Sequence, residues 1–360
     1  MASHGMVVVA PEHRDGSAPI SYIHSLDESP PRMVSYRSLP HKISPEVEQC
    51  RNKQMKIRLW ELDLIYDALL KLDRGLQITN VASNLAEDHR FNSLLNIHSP
   101  GKIAWAGHSF GAATIIQFVK SIYYSPPRDV KGYEPIFTPA KDSAISKQIT
   151  PSSPVVLLDL WALPLHLSTS TSWLWEKHLP AYESVNGSSP IAILSEAFFK
   201  WKSNLKATTR AMSPPKGQSS CIKPSIFYPI ASAHLSQSDF GPLFPWLTRK
   251  VFKVEDPERT LRLNVRAILE SLRRSGINVA NTSNADMEFN TLDASGAKQL
   301  EEKQKFPLAQ DHRILATDGS LKGWIAIPLD EQNGSAGANG HAIEAGNPGE
   351  AVMEGEVMKE

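Results

Sequence analysis

A chain of 360 residues that is 41% hydrophobic and 21% charged can bury one large core or two modest ones, and a single α/β domain with tails is the expectation. Lysine plus arginine equals aspartate plus glutamate at 38 each, so the summed charge points neither to nucleic acid nor to an acidic membrane as the main partner. Two cysteines, Cys50 and Cys221, exclude a disulfide scaffold; no run reaches the roughly 18–20 apolar residues of a spanning helix, Met1-Ala2-Ser3-His4-Gly5 does not read as the basic and then apolar pattern of a leader, and a cytoplasmic protein is expected.

The first element is Met6-Val7-Val8-Val9-Ala10, an apolar run between Gly5 and Pro11, which predicts a strand buried on both faces of a parallel sheet. Glu12-His13-Arg14-Asp15-Gly16-Ser17 follows at its carboxyl end, where open α/β sheets place their sites. Catalysis by His13 and Asp15 is one reading; a charge-assisted network that anchors the loop is the commoner use of such a cluster and is the expectation. Residues 17–43, with Pro30, Pro31 and Pro40, form a connection long enough for a lid or pocket wall. A long helix is predicted from Ser44, an N-cap followed by Pro45 at the first helical position and by Glu46 and Glu48 at the positive end of the dipole. Trp60, Leu64, Ala68 and Leu72 recur every fourth residue, widened by Ile57, Ile65 and Leu69, so this stripe is expected to face the sheet. Residues 75–101 read as loop with a short helix near 87–95.

Ile103-Ala104-Trp105-Ala106 then runs into Gly107-His108-Ser109-Phe110-Gly111, with an amphipathic segment over 110–122 behind it. A strand, a Gly-x-Ser-x-Gly turn and a helix in direct succession form the pattern of a nucleophile elbow. Both glycines are expected to leave room where strand and helix converge, Ser109 to stand clear of the sheet edge, and the Phe110 N–H to face a developing oxyanion. Residues 125–153, rich in Pro, Lys and Ser, read as a surface insertion. Val155-Val156-Leu157-Leu158 is the next buried strand and ends in Asp159. A carboxylate at a strand's carboxyl tip is where the partner of a catalytic histidine belongs, with loop capping as the alternative. Ile191–Leu194 is a further strand, leading to Ser195, Glu196 and a helix to about residue 210. Ser225–Ile230 is the last clear strand, and His234 lies in the loop just beyond it.

Ser109, Asp159 and His234 thus come in the Ser, acid, His order of α/β hydrolases, each at the end of a successive strand. His108 adjoins the nucleophile but is expected to point away around the turn and to be structural. No pair of candidate ligands has metal-binding spacing on one face, so neither a metal nor a cofactor is expected. Trp161, Leu163 and Leu165, with Phe110 and Phe240, are candidates to line an apolar acyl pocket, core packing being the alternative for most of them. Trp173, Trp175, Phe198, Phe199 and Trp201 are weaker candidates for contact with a membrane surface. Farther on, Asp256 and Pro257 start a helix with Leu261, Val265, Ile268, Leu269 and Leu272 on one stripe and Gly276 at its end. The division expected is a catalytic unit over 1–276, a polar linker and a docked segment or small hairpin (Ile314-Leu315, Gly323–Ile327) over 277–330, and a disordered tail over 331–360.

The opening Ala2-Ser3-His4-Gly5 through Glu12-His13-Arg14-Asp15, the elbow Gly107–Gly111, Leu158-Asp159-Leu160-Trp161 with Pro164-Leu165, and Ser232-Ala233-His234 with Asp239-Phe240 together resemble the platelet-activating-factor acetylhydrolases. That family includes the plasma, lipoprotein-associated phospholipase. The likeness covers most of residues 2–275 in blocks, and the stretches 125–153 and 213–220 depart from the shorter animal pattern in the manner of fungal-type members. It implies an α/β-hydrolase fold, mostly parallel with helices on both faces of the sheet, and a calcium-independent serine esterase that removes sn-2 acetyl, short or oxidised acyl groups from glycerophospholipids. Carried over by residue, Ser109 is the nucleophile, His234 the general base and then acid, Asp159 its partner, and the Phe110 N–H one oxyanion donor. The partner implied is a phospholipid or short-chain ester, with peripheral membrane contact and oligomeric state left open. Another carboxylic or polyester esterase of the same fold, and a lipid-binding remnant, are the alternatives. In the family the second oxyanion amide comes from a glycine-rich loop upstream of the segment matching Ala2–Gly5, together with the first strands. His4-Gly5 enters its strand on the far side from Ser109 and is no substitute. The expectation is either a piece of a longer, active protein or an intact triad with weak catalysis.

Overall fold

The computed structural model describes residues 1–25, 29–40, 43–78, 91–125, 130, 132–140, 142–166, 168–215, 222–252, 254, 256–282, 312–319 and 321–329. Two short strands, β1 (Ile20–Ile23) and β2 (Arg32–Ser35), pair antiparallel with each other, Ile20 opposite Ser35. The main sheet is built from β3 (Trp105–His108), β4 (Val155–Leu158), β5 (Ile191–Ile193), β6 (Ser225–Pro229) and β7 (Trp324–Ala326), in that spatial order. β3 to β6 run parallel, and β7 closes the far side antiparallel to β6. Around them lie α1 (Pro45–Asp73), α2 (Phe110–Tyr124), α3 (Ala144–Gln148), α4 (Leu163–His166), α5 (Thr169–Trp175), α6 (Glu196–Lys200), α7 (Lys202–Met212), α8 (Phe240–Leu243), α9 (Pro245–Phe252) and α10 (Pro257–Arg274). None of the described helices is long and apolar enough to cross a membrane.

The period of two along the strands decides which helix each residue meets. Val155, Leu157, Ala192 and Ile226 join the larger core with Met55, Leu59 and Leu62 of α1 and Ile115, Phe118 and Val119 of α2. Val156, Ile191, Ile193 and Phe227 point the other way and bury against Leu263 and Ala267 of α10, with Ile314, Leu315 and Trp324. Both faces are therefore covered, as a parallel sheet requires, and the chain has the α/β-hydrolase fold. The strand tips at His108, Leu158, Ile193 and Pro229 all emerge at the same end of the sheet, which is where the candidate residues gather.

Four expectations are corrected. Residues 6–10 form no strand: among the described residues no backbone hydrogen bond pairs them, and Val7, Val8 and Val9 are exposed. The run lies across a cavity from Ile103–Ala106 without joining β3, and an apolar run without a ladder is not a strand. Helix α1 begins as expected, the Ser44 hydroxyl accepting the Val47 N–H at 3.2 Å, but it buries a different face. Met55, Leu59, Leu62, Tyr66 and Leu70 are inside, while Ile57, Trp60 (58% exposed) and Leu64 face outward. The inward face also carries Gln54, Arg58 and Glu61, which are buried because they bind the 13–17 loop. Within 125–153, Ile136, Phe137, Ile145 and Ile149 belong to the core, so this stretch is not simply a surface insertion. Finally, β7 adds a strand to the main sheet, which therefore extends beyond residue 276. Of the helix expected near 87–95, residues 87–90 lie outside the described residues and 91–95 form turns with no α-helix; most of the polar linker and the tail from 331 onward also lie outside them.

Candidate active site

The elbow follows from steric necessity at one residue. A Cβ on Gly107 would stand 2.3 Å from the Gly111 carbonyl oxygen, so only glycine lets β3 and α2 approach this closely. Gly111 carries no such demand, since a Cβ there would meet nothing within 4 Å; the expectation of two space-making glycines holds for the first alone. Ser109 sits at φ 56°, ψ −118°, a conformation costing of order 1–3 kcal/mol that persists because the surroundings impose it. Its N–H donates to Leu158 O at 2.9 Å, and its carbonyl accepts from Ala112, Ala113 and Trp161 N–H. Among the described residues no backbone acceptor engages the Phe110 N–H at the start of α2. An amide left free at a helix N-terminus is what an oxyanion donor requires.

Asp159 is fully buried at the tip of β4, with φ 43°. Both carboxylate oxygens are engaged: Oδ1 accepts the Ser195 N–H at 2.5 Å, and Oδ2 bonds His234 Nδ1 at 2.9 Å. The carboxylate can neither rotate nor shed its partner without losing a buried hydrogen bond. His234 is presented by a loop fixed through side chains. Glu196 accepts the Ala231 N–H at 2.5 Å, Ser232 Oγ accepts the Glu196 N–H and donates to Pro229 O, and Ser236 Oγ accepts the Ala233 N–H. Burial raises the Glu196 carboxyl, but Lys200 and the Ala231 N–H outweigh it and hold it below the ordinary value.

The His234 ring is held between two others. Phe198, at the start of α6, stacks on it at 4.5 Å with an 11° interplanar angle, and His108 lies 4.4 Å away at 33°. Neither role was read from the sequence. His108 does not point away from the site, and Phe198, offered above as a membrane contact, is 1% exposed. Burial first, then the neighbouring His234, push the His108 imidazole down to about 4, although Asp159 and a backbone hydrogen bond with His234 act in the opposite direction. His108 is therefore neutral at neutral pH and adds no charge beside His234. Ligand-capable atoms of His108, Asp159 and His234 lie within 4.8 Å of one another, a cluster hidden from sequence spacing because it is assembled from separate loops and strand ends.

Ser109 and His234 open into one cavity of about 1280 Å³, shared with Trp161 and Phe110. Among the described residues no hydrogen bond joins Ser109 Oγ to His234; in serine hydrolases this contact is often long without substrate and tightens in the complex. Of the candidate pocket residues, Trp161 lines this cavity, whereas Leu163 is buried in the core and Phe240 packs on Phe244 at 4.9 Å. Neither of the latter reaches the cavity, because the turn after Trp161 directs Leu163 inward and α8 carries Phe240 toward α9.

The 12–17 loop is the anchoring network the sequence suggested. Glu61 binds His13 Nδ1 at 2.7 Å and the Arg14 N–H at 3.1 Å. Asp15 Oδ2 accepts from Arg58 Nε at 2.6 Å, Oδ1 accepts from the Ser17 N–H and hydroxyl, and Gln54 donates to Asp15 O. Burial raises the Asp15 carboxyl, but Arg58 and Ser17 together bring it below its usual value. Arg58 in turn lies 4.2 Å from the Phe110 ring centroid, so the network buttresses the residue next to Ser109.

The family model described as platelet-activating factor acetylhydrolase, isoform II, matches residues 1–295. A Gallus gallus platelet-activating factor acetylhydrolase is 27% identical over 290 residues, which is 76% of this chain and 56% of the relative. The Bos taurus protein of the same name is 37% identical over 122 residues, 32% of this chain and 26% of the relative. A Schizosaccharomyces pombe protein, whose phospholipase A2 name is provisional, is 25% identical over 309 residues, 77% of this chain and 63% of the relative. The chain thus spans less than two thirds of the length of each of these relatives.

Proposed function

The chain belongs to the platelet-activating factor acetylhydrolase isoform II family, and from that membership we propose that it is a serine esterase acting on the sn-2 acetyl or short or oxidised acyl ester of glycerophospholipids. The observation that carries this reading is the convergence of Ser109, the His234–Asp159 pair and the free Phe110 N–H at one end of the sheet. With Nδ1 committed to Asp159, Nε2 of His234 is the nitrogen that takes the Ser109 proton as Oγ attacks the acyl carbonyl. The oxyanion forms against Phe110 N–H at the positive end of α2, and the proton returns to the departing lysophospholipid oxygen. Water then repeats the cycle on the acyl-enzyme, and Asp159 keeps the imidazole oriented throughout.

The test compares hydrolysis of 1-alkyl-2-acetylglycerophosphocholine, a long-chain phosphatidylcholine and a soluble polyester by the chain and its Ser109→Ala and His234→Ala variants. Preference for the acetyl phospholipid, lost by several orders of magnitude in both variants, is expected. Preference for the polyester would remove the phospholipid assignment, and full activity of His234→Ala would remove the triad.

A further inference from the structure

Two guanidinium groups stand over the ring of Phe110, the residue after Ser109, and line the same cavity, and their charge is balanced very differently. Arg58 is spent: it is paired with Asp15 and bonded to the Ser17 hydroxyl at 2.6 Å. Arg51, two turns earlier on α1, is not. It lines the cavity that holds Ser109 and His234, half-buried, with its guanidinium carbon 4.9 Å from the Trp161 ring centroid and 5.6 Å from that of Phe110. Among the described residues no carboxylate pairs with it. Nη1 donates to Gln54 Oε1 at 2.9 Å, Nε is buried without a partner, and Nη2 has neither a partner nor that enclosure.

A partly desolvated cation is costly unless something answers its charge, and the faces of two aromatic rings answer it only in part. Burial lowers the Arg51 pKa, the next influence being the Tyr36 hydroxyl acting the other way, and the group remains charged at neutral pH. What is missing is an oxyanion, for which a guanidinium edge is well shaped. The Trp161 N–H donates to the Ser109 carbonyl, so the ring beneath Arg51 belongs to the residue that braces the nucleophile.

We propose that Arg51 is the anion-binding residue of this cavity and receives a substrate oxyanion, either a phosphodiester or a carboxylate carried on the acyl chain, beside the ester that Ser109 attacks. This rests on the esterase reading above and sharpens it: the preferred substrates carry a negative charge within reach of the scissile bond. Arg58, fixed to Asp15, sets the Phe110 side of the site and leaves the charge of Arg51 available.

The test measures two matched substrate pairs on the wild-type chain, Arg51→Gln and Arg51→Lys, with melting temperatures to confirm folding. One pair is 4-nitrophenyl valerate and mono-4-nitrophenyl glutarate; the other is 1-alkyl-2-acetylglycerol and 1-alkyl-2-acetylglycerophosphocholine. Arg51→Gln is expected to lower the charged-to-uncharged ratio of kcat/KM about tenfold or more, mainly through KM, with Arg51→Lys between it and wild type. A change confined to the glutarate pair identifies an acyl-chain carboxylate as the ligand, and one confined to the glycerol pair a phosphodiester. Unaltered ratios in both pairs overturn the proposal. Wild-type turnover of the nitrophenyl esters without turnover of either lipid defeats the phospholipid reading, and Arg51 is then judged on the nitrophenyl pair. Calorimetric titration with glutarate and with glycerophosphocholine reads the same site without turnover, and binding that is absent, or equal in wild type and Arg51→Gln, also overturns it.

Discussion

Replacing Phe198 by leucine removes a flat ring from beneath His234 while keeping most of the apolar volume. Truncation to alanine would cost about 3–5 kcal/mol, a large part of the ~5–15 kcal/mol that holds a domain together, so leucine is the cleaner perturbation. What leucine forfeits is the 4.5 Å stack with His234 and the edge contact with Trp201 at 5.6 Å. Aromatic pairs are worth about 0.5–1.5 kcal/mol beyond their buried area, so a fall in melting temperature of roughly 2–5 °C is expected. Activity should suffer more than stability. His234 would keep its Asp159 bond but could tip about it, and misplacing a reacting group by ~1 Å costs about 100-fold. The expected result with 4-nitrophenyl acetate is therefore a kcat loss of about 10- to 100-fold with KM nearly constant. Phe199→Leu is the control, because its ring stacks on Tyr228 at 4.0 Å and not on His234. Equal losses in the two variants, or full kcat in Phe198→Leu at a lowered melting temperature, would show that Phe198 is ordinary core and not a platform for the base.

Two further predictions separate neighbouring or coupled residues. Gly107→Ala should abolish turnover and lower the melting temperature sharply, because its Cβ would meet Gly111 backbone atoms at 2.3–2.4 Å; Gly111→Ala has open space and should gain roughly 0.5–1 kcal/mol from helix propensity, so a reversed order in a thermal melt would contradict the elbow geometry. Asp15 sits below its ordinary value, so the stability it contributes is present above the unfolded pKa of about 3.9 and is lost as pH falls through the lower folded value. Urea midpoints for wild type and Asp15→Asn should therefore differ most near pH 7, where breaking the buried Arg58 pair costs about 3–5 kcal/mol, and converge below about pH 3; parallel curves would refute the assignment.

Val155–Leu158 was legible residue for residue, since a run buried on both faces and stopped by a carboxylate has few other uses. The pairing of His234 with Asp159 was legible from their places at the ends of β6 and β4. The face of α1 was not, because the helix carries two apolar stripes: Ile57, Trp60 and Leu64 on one, Met55, Leu59, Leu62 and Tyr66 on the other. The deciding contacts are buried polar ones, Arg58 to Asp15 and Glu61 to His13, more than forty residues apart in sequence. Read locally, Arg58 and Glu61 mark a solvated face; read in the fold, they mark the buried one. Phe198 and His108 were missed for the same reason. Each touches His234 from a different strand end, and no periodicity within a segment records such a meeting. Met6–Ala10 shows the converse, a local pattern of full strand character that finds no ladder in this structure.

The last strand alters what counts as the working length of the protein. The proposed triad is complete by residue 234, yet the Gly323 carbonyl accepts the Ile230 N–H and Trp324 lies opposite Pro229, at the point where β6 gives way to the loop bearing His234. Pro229 has no N–H to offer, so this stretch depends on the neighbouring strand for its remaining ladder bonds. Trp324 is itself fastened, its indole N–H donating to Ile314 O at 2.8 Å, and Arg259 of α10 bonds the Lys322 carbonyl. A tether drawn from almost ninety residues downstream thus fixes the seat of the histidine, and shortening the chain to the last residue with a chemical role would cut it away.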